Sequence, residues 1–131
     1  MPAIDFATED IQRGKLIRPA WYRVHIDEIS EGLSKNGDST NYLVKGTIVR
    51  NADTPSDTEF DGFPTPYWNF NSKAKGFMIG FFAANGIEVE AGKRYDIAAF
   101  VGKEIEVMIE NELYEGRMIN RINHKYRKAS K

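Results

Sequence analysis

The sequence predicts a mostly β fold: an OB-fold-like five-stranded barrel with one helix between strands 3 and 4 and a short N-terminal arm. Three observations predict it. Several runs alternate apolar and polar residues with the period of a half-buried strand. One segment alone, SKAKGFMIGFFAANG at 72–86, has convincing helical spacing. The 131 residues are 41% hydrophobic and 28% charged, proportions with which one globular domain can bury a single core.

Residues 1–19 hold few periodic apolar positions and end at Pro19, so they read as an arm with one short helical turn. In WYRVHIDEI at 21–29, Tyr22, Val24 and Ile26 share one face while Trp21, Arg23, His25 and Asp27 share the other. The turn-forming stretch at 30–40, with Asn36-Gly37, reverses the chain. The second strand, NYLVKGTIVRN at 41–51, is rich in β-branched and aromatic residues and sets Lys45, Leu43, Thr47 and Val49 opposite Tyr42, Val44 and Ile48. An acidic loop follows at 52–62, and then Pro64 and Pro66 frame a third extended segment, GFPTPYWNFN. Proline confines such a strand to an edge, its first residues or a bulge.

In the helix, Ser72 is the expected cap, Phe77, Met78, Phe81 and Ala84 the apolar stripe, and Asn85-Gly86 the stop. Asp96 is placed to cap a short turn, DIAAF. KEIEVMIE at 103–110 alternates, with Ile105, Val107 and Ile109 expected inside and Glu104, Glu106, Met108 and Glu110 outside. After the turn NELYEG, the last strand RMINRINHKY leads into a basic tail. The expected organisation is an arm at 1–19, a barrel domain at 20–124 and a tail at 125–131. Five strands with a helix between the third and fourth is the layout of the Greek-key barrel known as the OB-fold; an open α+β sandwich has the same element order.

The absence of cysteine removes disulfides, thiolate metal sites and cysteine nucleophiles together. The segment MPAIDFATED lacks the basic-then-apolar layout of a secretion signal. The longest apolar run, FMIGFFAA at 77–84, falls far short of the ~20 residues of a membrane span. A cytoplasmic protein is therefore expected. Neither of the two histidines, His25 and His124, belongs to a pair at metal-ligand spacing. Glycine-rich phosphate loops and nucleophile elbows are missing. The sequence thus points to a binding module without cofactor or metal rather than an enzyme.

Aromatic residues interleaved with basic ones suggest what is bound. Single-stranded nucleic acid stacks its bases on flat side chains while cations follow its backbone. In PYWNFN, Tyr67 and Asn69 share one face and Trp68 and Phe70 the other, with Lys73 and Lys75 following. The prolines make Trp68 and Phe70 candidate stacking platforms. Trp21 and Arg23 share the outer face of strand one, and Arg117 and Arg121 share a face of strand five. The candidate binding residues are therefore Trp21, Arg23, Lys45, Trp68, Phe70, Lys73, Lys75, Arg117 and Arg121. The net charge of −1 weighs against this ligand in total but not locally, because phosphate contacts depend on where the cations lie.

The segments GKLIRPAWYRVHI at 14–26, YLVKGTIV, YWNFN, the helix ending AANG, FVGKEIEV at 100–107 and YEGRMINRI at 114–122 resemble a bacteriophage family. It is the group of OB-fold single-stranded DNA-binding proteins of phage replication and recombination clusters. The resemblance spans about residues 14–124. It implies an OB-like barrel, single-stranded DNA as ligand, no cofactor and no catalysis; phage replication or recombination proteins are the further partners such a setting offers. The chain departs from many single-strand binders in ending with HKYRKASK rather than an acidic tip. Two rivals remain at this stage: a protein–protein interaction or phage accessory module on the same barrel, and a DNA-processing nuclease.

Overall fold

The computed structural model of the protein describes residues 3–129. A short helix α1 (Thr8–Arg13) precedes strands β1 (Ala20–Leu33), β2 (Thr40–Asn51) and β3 (Asn69–Asn71); helix α2 (Gly76–Ala84) and a 3-10 turn (Ile97–Phe100) lead to β4 (Glu104–Tyr114) and β5 (Arg117–Lys128). All pairings are antiparallel, in the order β3-β2-β1-β4-β5. No backbone ladder joins β3 to β5, so the sheet is open by hydrogen bonding. Among the described residues, no helix is long and apolar enough to cross a membrane.

Alternation sets the interior as expected. Tyr22, Val24 and Ile26 from β1, Val44 and Ile48 from β2, and Ile105, Val107 and Ile109 from β4 are buried together. Gly46 is required where β2 passes a bulge in β1: a Cβ there would lie 2.7 Å from the His25 carbonyl oxygen. The segment at 62–68 lies along the free edge of β2 through bonds such as Ile48 N–H to Phe63 O (2.8 Å), Thr65 N–H to Gly46 O (3.0 Å) and Val44 N–H to Trp68 O (2.9 Å). Pro64 and Pro66, which lack the N–H, break that pairing into pieces.

The helix begins later than the sequence suggests. Ser72 does not cap it; its N–H donates to Thr40 O (2.8 Å) and its hydroxyl accepts from Thr40 N–H (2.9 Å), so it prolongs the β3 edge. The helix ends as expected, with Gly86 at φ 87° and the bonds Ile87 N–H to Phe82 O and Gly86 N–H to Ala83 O of a Schellman motif. Asp96 caps the 3-10 turn by accepting from Ala98 N–H.

Trp68 and Phe70 are corrected by the structure. They are core residues, 1% and 2% exposed. Proline removes backbone donors but does not decide which face of a strand turns inward, and the face carrying Trp68 and Phe70 is the one that meets α2 and β5. The Trp68 indole N–H donates to the Tyr126 hydroxyl at 2.7 Å, and the rings stack with centroids 5.8 Å apart. Phe81 from α2 meets Trp68 edge-on and lies 5.0 Å from Phe70, centroid to centroid. The Tyr126 oxygen also lies 2.7 Å from His124 Nδ1. The indole can only donate, so the Tyr126 oxygen accepts from it; the hydroxyl proton is left to meet Nδ1 when His124 carries its own proton on Nε2, and Nδ1–H donates to the same oxygen in the other tautomer.

Two expectations for β4 and β5 also change. Glu106 is not on a solvated face but 2% exposed, because Arg127 bonds its carboxylate and Arg23 is its cross-strand neighbour on β1. The basic tail expected from residue 125 is strand as far as Lys128, with Tyr126, Arg127 and Lys128 paired to Val107, Glu106 and Ile105; Ser130 and Lys131 lie outside the described residues.

Two predictions follow from the aromatic seam. Phe81→Ala should cost about 3–5 kcal/mol, and Tyr126→Phe about 1–3 kcal/mol by leaving the buried indole N–H without its acceptor; denaturant midpoints measure both. Burial also holds His124 below its usual value of 6.5. The unfolded chain therefore binds this proton more readily than the folded one, and stability should fall as pH drops below 6.5 toward the depressed folded value. His124→Asn, which tolerates the left-handed backbone found there (φ 59°), should flatten that part of the stability–pH curve.

Candidate nucleic-acid interface

The N-terminal arm is pinned to the β4–β5 hairpin by two asparagines. Asn120 accepts from Ile17 N–H (2.8 Å) and donates to Lys15 O (2.8 Å), and Asn111 donates to Ile17 O (3.0 Å) and to Asn120 Oδ1 (3.1 Å). The Ile17 side chain is buried in the core. On the other side, Arg13 reaches the carbonyl of Thr65 at 3.3 Å. The arm is thus one wall of a cleft, the rigid Pro64–Tyr67 segment is the opposite wall, and Arg117, Met118 and Asn120 of β5 lie between them.

This cleft has a volume of about 400 Å³ and its lining contains Arg13, Lys15 and Arg117 but no aspartate or glutamate. Arg13 is held by Glu9 at 2.8 Å. For Lys15 and Arg117, no ion pair is found among the described residues. Tyr67 stands on the rim, 72% exposed, because β-strand alternation turns it away from the core when Trp68 turns in. Leu16 and Met118 add exposed apolar surface beside it.

The nine residues singled out from the sequence do not converge. Of them, Arg117 alone lines the cleft. Trp68 and Phe70 are in the core. Trp21 is half-buried, and the Arg127 guanidinium lies over its ring, 4.2 Å from the centroid; it is not an open platform. Arg23 pairs with Glu104, Lys73 with Asp38 at 2.6 Å, and Arg121 with Glu112 at 2.8 Å. Lys45 is exposed, but it shares its hollow with Glu9, Asp27 and Glu28. Lys75 stands exposed at the start of α2.

Sequence reasoning missed Tyr67, Lys15, Arg13 and Met118. The signal for Tyr67 was present, since it occupies the face opposite Trp68 and Phe70 and one of the two faces had to be outside. Nothing local marks Lys15 and Arg13, which reach the cleft only because distant asparagines hold the arm there.

Among the described residues, no group of three or more His, Asp or Glu side chains is placed to hold a metal ion. No protein-family model matches the sequence, and no curated protein matches it.

The geometry separates two neighbouring aromatics by a simple measurement. Tyr67→Ala should leave the melting temperature within about 2 °C of the parent, as exposed substitutions do. Trp68→Ala should cost about 3–5 kcal/mol, visible as a drop of well over 10 °C in the same thermal scan.

Proposed function

We propose that the protein binds single-stranded DNA with little sequence preference, and that the cleft between the N-terminal arm, Pro64–Tyr67 and the start of β5 holds the strand. The observation that carries this reading is the pairing of an exposed Tyr67 with two uncompensated cations, Lys15 and Arg117, in a lining without acids. An exposed aromatic face can stack on any base, and cations spaced along a cleft neutralise successive phosphates. The resemblance to phage single-strand binders supports the same ligand and adds phage replication or recombination as the setting. Duplex DNA is a poorer match, since its bases are already stacked and offer Tyr67 no free face.

A second reading has its own observation. Leu113 and Met118, cross-strand partners at the end of the β4–β5 hairpin, are both exposed, and such an apolar pair also suits a protein partner. Salt separates the two, because apolar docking does not release counterions and phosphate binding does.

The test is fluorescence anisotropy of labelled oligo-dT and of a matched duplex at two salt concentrations. Single strands should bind better than duplex, with affinity falling as salt rises. Tyr67→Ala should weaken binding by about 1–3 kcal/mol, the worth of one stacked base, while Tyr67→Phe keeps most of it. Lys15→Gln and Arg117→Gln should each reduce the slope of log affinity against log salt by about 0.7. Equal affinity for duplex, or salt-independent binding, would reject the cleft as a single-strand site.

A further inference from the structure

Helix α2 has a composition that its position does not explain. Its nine residues, GFMIGFFAA, include no polar side chain. A helix lying on a globular surface ordinarily turns a polar stripe to water, and one that is apolar all round is covered on every side. Here Phe81, Phe82 and Ala84 are buried in the core, and Phe77 lies on His124. The opposite side carries Gly76, Ile79 and Ala83, three and four residues apart and exposed, with Ile79 54% open to solvent. The apolar surface continues past the helix end, where Ile79, Ala83, Ile87 and Val89 line a hollow of about 680 Å³.

The geometry points to a second copy of this chain as the occupant, with two α2 helices packed antiparallel about a two-fold axis. Charge supports this pairing. Lys75 stands at the start of the helix and Glu88 on the rim of the hollow beyond its end, both exposed; Lys128 of β5 also lines the hollow, and Glu88 is its one acid. Among the described residues, neither Lys75 nor Glu88 has an ion-pair partner. An antiparallel pair brings each Lys75 toward the Glu88 of the other copy, twice over, whereas a parallel pair sets like charge against like. Shape supports it as well. Ile79 projects at the near lip of the hollow, so an isologous contact can lay each Ile79 against the Ala83, Ile87 and Val89 lining of the other copy. Gly76 and Ala83 let the two helix backbones approach closely. At nine residues the helix is too short to span a bilayer, and the hollow offers no aromatic platform to a nucleic acid base.

The test is sedimentation equilibrium of the whole chain without oligonucleotide, so its outcome is independent of the single-strand reading. The expected mass at tens of micromolar is that of two chains. Ile79→Lys should give the mass of one chain at the same concentration with an unchanged thermal melt. Lys75→Glu and Glu88→Lys should each weaken the dimer about tenfold, and the double variant Lys75→Glu/Glu88→Lys should restore it. The rescue matters most, because both residues are exposed and neither substitution disturbs the fold. A single-chain mass up to the millimolar range would overturn the proposal and leave the face to a different partner. A dimer that survives Ile79→Lys, or a double variant no tighter than the singles, would overturn it equally.

Discussion

The hydrogen bond from the Trp68 indole to the Tyr126 hydroxyl ties β5 to the residue leading into β3, two strands that no backbone ladder joins. β3 and β5 are the free ends of the sheet, and side chains close the gap between them. Trp68 stacks on Tyr126, Phe70 lies 5.0 Å from His124 between ring centroids, and Phe81 from α2 contacts Trp68, Phe70 and Tyr126. The cluster depends on an irregularity in β5. Val107 pairs with Tyr126 and Ile109 with Ile122, so four steps on β5 cover two on β4. The additional residues include His124 in the left-handed region, a conformation that persists in a non-glycine residue where its surroundings over-determine it. The Trp68 indole N–H, the Tyr126 hydroxyl and His124 Nδ1 thus form a continuous row of hydrogen bonds in this part-buried seam. In a low-dielectric interior, such a row strengthens with completeness and suffers when one member is lost.

That seam explains which parts of the sequence could be read and which could not. Period-two alternation is a property of a single strand, so the faces of β1, β2 and β4 were legible from their own residues. The same rule correctly divided PYWNFN into Trp68 with Phe70 and Tyr67 with Asn69. Choosing the inner face required knowing that Tyr126, 58 residues further on, would offer its hydroxyl to the indole. The prolines pointed the wrong way because they report lost N–H donors along the β2 edge, not side-chain direction. The late start of α2 has a similar origin: Ser72 has the chemistry of a cap, but Thr40 across the strand pair claims it. The asparagine-glycine stop and the Asp96 cap were legible because both act within three residues of themselves.

Charge was harder to read than hydrophobicity, since a sequence lists charges while register pairs them. Arg23 meets Glu104 across β1 and β4, Arg127 meets Glu106 across β4 and β5, and Arg121 meets Glu112. Residues that look like a basic stripe are therefore largely compensated on the folded surface. The apparent C-terminal tail illustrates the point most fully. Its Arg127 covers both the Glu106 carboxylate and the Trp21 ring, removing one cation and one aromatic from the reach of a ligand. A carboxylate this buried also constrains register, because a one-residue slip of β5 would turn its arginine to the other face and leave the charge desolvated and alone.

What remains after these pairings is a small set of cations, and their setting gives them weight beyond their number. Three of the four acids of the 53–61 loop are engaged elsewhere: Asp57 and Glu59 hold Arg18, while Asp53 accepts from the Trp21 N–H and faces Arg127. At ordinary ionic strength, exposed charges beyond about 10 Å are largely screened. A strand in the cleft would therefore meet Lys15 and Arg117 without feeling most of the charge that makes the whole chain slightly negative. The arm also supplies its cation in a fixed place. Buried Ile17 and the bonds from Asn111 and Asn120 hold the backbone of residues 15–17 before any ligand arrives. Less ordering is then left for binding itself, which is where flexible basic tails lose affinity. For the proposed ligand, an arm stapled to the sheet beside a proline-framed tyrosine would therefore make a better site than the internally neutralised face of β1, β4 and β5.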